Sequence, residues 1–129
     1  MNTWFEQIIK PDWAPPAWIF GPVWAFLYVI IGITFVYAGW LFSKGKISFM
    51  ILLPFILNLV FNLLFTTIQF KLQSNLLSSI DILLVLGTLI WLMISIYPHS
   101  KWIALANIPY LLWVSFASVL QLTITYLNR

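Results

Sequence analysis

Polar residues cut this chain into long apolar runs. No Lys, Arg, Asp or Glu falls between Asp12 and Lys44, or between Lys46 and Lys71. Between Lys71 and Lys101 the one such residue is Asp81, and none follows until Arg129. A helix needs about 20 apolar residues to cross the roughly 30 Å hydrocarbon core of a bilayer. The pattern predicts four spans, at residues 19–42, 47–70, 75–97 and 102–127. The connections are short (SKGK, KLQS and PHSK), which makes successive helices antiparallel neighbours. The expected fold is an all-α integral membrane protein, an antiparallel bundle of four transmembrane helices forming a single domain over residues 1–129.

Inside the second and fourth spans the polar residues recur at helical steps. Pro54, Asn58, Asn62, Thr66 and Gln69 share one face, and Asn107, Tyr110, Val114, Ala117 and Gln121 share another. Trp113 lies beside the second stripe, where Ala117 and Ser118 leave room next to large rings. In hydrocarbon such groups need internal partners. Two readings stay open: the stripes are interhelical glue, or they line a cavity with apolar walls and a few convergent polar groups. Asp81 is the one carboxylate within a span. It is either satisfied by Ser78, Ser79 and the nearby loop or a functional group.

The approach to the first span is stiff. Lys10, Ala14 and Pro15 each precede a proline, which favours extended backbone, so Lys10 to Pro16 reads as a non-helical loop. Pro16 suits the first helical position, and Pro22, within the first two turns, is expected to remove a hydrogen bond. Trp13 and Trp18 fit an interfacial aromatic belt. Trp24 lies about 9 Å deeper than Trp18, where an indole N–H wants a partner. Residues 1–18 make an interfacial segment and loop. If residues 3–10 are helical, Trp4, Phe5, Ile8 and Ile9 share a face that could lie in the membrane plane; a frayed terminus reads equally well.

Composition agrees with the spans. Apolar residues make up 63% of the 129 and charged residues 7%, against about 25% charged in soluble domains. The net charge of +3 is too small for nucleic-acid binding. There is no cysteine, and the N-terminus lacks the pattern of a cleaved signal. His99 is the sole histidine, so no metal site is expected. No phosphate loop or nucleophile–base pair supports hydrolysis or phosphoryl transfer. Lys10, Lys71 and Arg129 on one side balance Lys44, Lys46 and Lys101 on the other, which leaves orientation open. Leu120, Tyr126 and Arg129 fit a loose sterol-contact pattern.

Three stretches carry a resemblance: KPDWAPPAWIFGPVWAFLY from Lys10, NLVFNLLFTTIQF from Asn58 and PYLLWVSFASVLQLTITYLN from Pro109. Together they resemble the TspO/MBR family of tryptophan-rich sensory and translocator proteins. Asn58 stands where that family has Gln, Phe65 for Trp, Thr66 for Ser, Gln69 for Phe and Gln121 for Asn. Leu77 replaces a tryptophan four residues before Asp81. The family is a five-helix bundle, so the resemblance implies that this chain holds its helices two to five and lacks the first. It also implies an intramembrane pocket for porphyrins, haem and sterol-like lipophiles. By that resemblance the ligand-binding residues are Pro15, Phe20, Trp24, Tyr28, Asn58, Asn62, Phe65, Ile82, Trp113 and Ala117, with Trp13, Ala14, Pro15 and Pro16 as a lid. Trp24 and Trp113 are also the catalytic candidates if the protein degrades porphyrin in light.

The implied function is receptor-like tetrapyrrole binding in sensing or transport, with no obligatory cofactor. Rival readings are a porphyrin-degrading enzyme, a proton-coupled transporter using Asp81, and an inert assembly subunit. The expected partners are the bilayer, tetrapyrrole or sterol-like molecules, and a second copy or another subunit that completes the bundle. The expected location is a bacterial cell membrane.

Overall fold

A computed structural model describes residues 12–14, 17–66, 68 and 75–128. Among these, every regular element is helical. A 3₁₀ turn, Ala17–Ile19, leads into α1 (Phe20–Ser43). It is followed by α2 (Phe49–Thr66), α3 (Asn75–Ile96), α4 (Lys101–Ala106) and α5 (Ile108–Leu127). Stretches Trp18–Ser43, Asn75–Ile96 and Ile108–Leu127 are each long and apolar enough to cross a membrane. The apolar part of α2, Phe49–Phe65, is shorter. The remainder of the expected second span, Ile68 apart, lies outside the described residues, as does the interfacial piece at residues 3–10.

Two expectations need correction. Pro22 is the third residue of α1, where the backbone N–H has no acceptor within the helix in any case, so it deletes no α-helical bond. The fourth span is not one helix from 102 to 127. It breaks at Asn107, whose φ of −88° and ψ of 3° leave the helical region. The cause is Pro109, which cannot donate to the carbonyl four residues earlier and is tolerated only near a helix start. The Asn107 side chain mends the joint: its Nδ2 donates to the Ile103 carbonyl at 2.8 Å, while its backbone N–H turns to Ala104 at 3.3 Å.

The α1–α2 turn closes on itself. Gly45 has a φ of +70°, a region open to glycine. Its N–H reaches the Phe42 carbonyl at 3.0 Å, and Lys46 N–H reaches that of Leu41 at 2.9 Å, the bonding pattern of a glycine-capped helix end. The turn folds α2 back on α1, bringing Phe42 to 6.1 Å from Phe49 and Phe35 to 5.0 Å from Phe55 between ring centroids.

Helix α3 is the spine. Ile82, Val85, Leu89, Leu92 and Ile96 recur at steps of three and four, and all are buried between α2 and α5. Helix α1 buries a narrower stripe of Leu27, Ile31, Thr34, Ala38 and Leu41. Its other faces expose Phe26, Val29, Ile33 and Val36, apolar side chains suited to lipid.

Candidate functional site

The polar stripes meet at the centre of the bundle. Tyr28 of α1 donates its hydroxyl to Asn62 Oδ1 at 2.9 Å. Asn62 Nδ2 donates to the Tyr110 hydroxyl of α5 at 2.7 Å, which donates in turn to Asn58 Oδ1 at 2.9 Å. Asn58 Nδ2 then reaches α3, at the Val85 carbonyl (3.0 Å) and Thr88 Oγ1 (3.1 Å). Thr88 closes the series on the Leu84 carbonyl at 2.8 Å. One hydrogen-bonded chain thus links all four long helices. Asn58 and Tyr110 are 0% exposed and Asn62 3%, so their mutual bonds replace water entirely. Trp24 rests on the two tyrosines, 5.6 Å from Tyr28 and 6.4 Å from Tyr110.

Beside this chain, between α1 and α5, lies an apolar cleft of about 570 Å³. Its walls include Val23, Phe26, Pro109, Leu112, Trp113 and Phe116. Trp113 meets Phe20 at 5.8 Å and Phe116 at 5.5 Å, and Trp13 lies edge-on to Phe116 at 5.8 Å. The result is a row of rings from the loop down the wall. The Trp113 indole N–H is buried and has no hydrogen-bond partner. A buried donor without an acceptor is costly.

The expected site residues therefore divide into two groups. Phe20, Trp113 and the lid residue Trp13 gather at the cleft. Trp24, Tyr28, Asn58 and Asn62 gather at the hydrogen-bonded chain, Trp24 by its ring and the other three by polar groups bonded within the protein. Ile82 is a core residue at 1% exposed, and Phe65 and Ala117 pack partly buried against the same core. Pro15 and Pro16 lie outside the described residues. Tyr110 and Thr88 complete the chain although neither was among the expected ligand-binding residues. The cleft residues Phe26, Leu112 and Phe116 carry no polar mark that could single them out in an apolar run. The sterol pattern does not form one surface: Leu120 is buried and Tyr126 is 62% exposed, while Arg129 lies outside the described residues. Six residues of helix turn a side chain well away from its starting face.

Comparison with known proteins settles the lineage. The TspO/MBR family pattern matches residues 1–127. The chain belongs to the TspO/MBR family. It is 38% identical to the tryptophan-rich protein TspO of Archaeoglobus fulgidus, over 99% of this chain and 82% of that protein. It is 37% identical to the uncharacterized membrane protein YtaB of Bacillus subtilis, over 98% of this chain and 81% of the relative. It is 31% identical to the human translocator protein, over 78% and 67% of the two chains. As a TspO/MBR protein with three helices of spanning length, it is an integral, multi-pass membrane protein.

Proposed function

We propose that this TspO/MBR protein is a receptor-like binder of tetrapyrroles, with protoporphyrin IX as the type ligand, serving sensing or transport. The observation that carries the reading is the ring-walled cleft between α1 and α5, with the unpartnered Trp113 indole in its wall. Its volume falls within the range of small-molecule pockets, about 300–1,000 Å³. A flat macrocycle suits walls of Phe26, Trp113 and Phe116. Among the described residues the cleft wall holds no His, Cys, Met or Tyr to serve as an axial iron ligand, which favours metal-free porphyrin over haem. In this reading four membrane crossings form an antiparallel bundle, α4 and α5 together providing the last. Trp13 over Phe116 is then the lid.

The test is a protoporphyrin IX titration of the purified chain in detergent, read by tryptophan quenching, with Trp113→Phe and Trp24→Phe in parallel. Saturable binding that weakens most in Trp113→Phe supports the cleft. Weakening confined to Trp24→Phe moves the ligand to the hydrogen-bonded chain. No saturable binding overturns the reading.

A further inference from the structure

The ring-walled cleft opens sideways. Phe26 and Leu112 form part of its rim, at 58% and 66% exposed. Val23 and Phe116 are half-buried in its walls, and Leu27, at 1%, backs it. Both flanking helices belong to stretches long and apolar enough to cross a membrane. Phe26 also begins a row with Val29, Ile33 and Val36, at steps of three and four along the outer face of α1. The rim is therefore continuous with the surface that meets lipid. What stands at the mouth of the cleft is hydrocarbon, not water.

The shape of the cleft fits that medium. It follows the α1 side from Ile19 to Leu27, about 12 Å, and the α5 side from Pro109 to Phe116, about 10 Å. It thus runs along the helices, as lipid tails do, and its length falls within the roughly 15 Å that one leaflet contributes to the hydrocarbon core. At the Ile19 end stand Trp13 and Trp18, 49% and 72% exposed, rings of the kind that settle at headgroup level. The lining is apolar throughout, and its one side-chain polar atom, the Trp113 indole nitrogen, is buried. A polar headgroup would find no partner against these walls, whereas a hydrocarbon chain needs none. Walls without a neighbour forfeit dispersion contacts, and a chain laid in the cleft restores them.

We propose that a bilayer lipid seats one acyl chain in this cleft, with its headgroup at the Trp13 and Trp18 end, as the resting occupant. The inference rests on the cleft and not on its assignment to tetrapyrroles, and its test uses no porphyrin, so either reading fails without the other.

The experiment places the purified chain in phosphatidylcholine vesicles that contain a small fraction of phosphatidylcholine with a diazirine in mid-tail. Light-induced crosslinks are mapped by peptide mass spectrometry. Yield at Val23 and Phe116 is compared with yield at Val36 and Ile94, which at 73% and 68% exposed meet bulk lipid more fully. The expected result is a several-fold higher yield at the cleft despite its lower exposure, because a seated tail stays beside its walls while bulk tails exchange. Val23→Phe, which fills the space, should bring the yield at Phe116 down to that at Val36. Val29→Phe, on the open face of α1, should leave it unchanged. The comparison within the native chain decides even where Val23→Phe fails to fold. Yields that follow exposure, highest at Val36 and Ile94, overturn the proposal, since the cleft then meets only passing lipid. A Phe116 yield that stays high in folded Val23→Phe overturns it equally.

Discussion

Replacing Asn58 with leucine separates a structural role for the central hydrogen-bonded chain from a ligand-binding one. Leucine is close to asparagine in size, so the change removes polarity with little change in packing. Three bonds are lost: from Tyr110 to Oδ1, and from Nδ2 to Val85 and Thr88. Two of the partners have alternatives, since Thr88 still donates to the Leu84 carbonyl and Val85 is part of its own helix. Tyr110 does not. At 0% exposed, its hydroxyl still accepts from Asn62 but has nowhere to donate. Interhelical polar contacts in membranes average about 0.6 kcal/mol, and an orphaned buried donor costs about 1–3 kcal/mol. The expected loss is about 2 kcal/mol. Adding Tyr110→Phe removes the orphan, so the double variant should be less destabilised than the two single changes would predict, with a coupling of about 1 kcal/mol. Equilibrium unfolding of all four proteins in mixed micelles measures this, with porphyrin affinity taken on the same samples. The reasoning fails if Asn58→Leu leaves the unfolding midpoint in place while porphyrin affinity collapses, because Asn58 would then be a ligand contact.

Other positions give sharper single readings. Gly45→Ala should cost about 1 kcal/mol on backbone strain alone, since a Cβ there meets nothing within 4 Å; unfolding of Gly45→Asn, expected to be milder, checks the cause. Asn107→Leu should loosen α1 from the α4–α5 joint, because Asn107 Nδ2 also reaches Thr34 Oγ1 at 3.2 Å; amide hydrogen exchange should rise around Thr34 before it rises in α3. Ala38→Leu should destabilise by about 1–3 kcal/mol through overpacking at a site 0% exposed, whereas Val36→Leu, on the outer face of α1, should leave unfolding unchanged.

Charges and helical steps made much of this fold legible. Helix α1 was expected at residues 19–42 and occupies Phe20–Ser43; α3 was expected at 75–97 and occupies Asn75–Ile96. In both cases the ends follow from where polar residues begin. The inward faces were legible too, since Asn58, Asn62, Asn107, Tyr110 and Gln121 are all buried. The break at Asn107 was missed because the apolar run continues through it, and hydropathy is blind to the missing N–H of Pro109. The partnerships were not legible either. That Tyr110 bridges Asn58 and Asn62 depends on how α2 and α5 rotate against each other, which periodicity within one helix cannot reveal. The cleft was hidden for a similar reason: Phe26, Leu112 and Phe116 look like any lipid-facing residues until two helices diverge around them.

The self-closing turn at Gly45 also acts as a ruler. Tyr28 and Asn62, which share a hydrogen bond, stand seventeen positions before and after it. Phe35 and Phe55, whose rings meet, stand ten positions before and after it. Equal counts on the two sides put each pair at the same depth, like rungs measured from one end of a ladder. Changing the length of this short loop would therefore offset every rung together. A residue inserted far from the centre of the bundle would unfasten Tyr28 from Asn62 without altering either one.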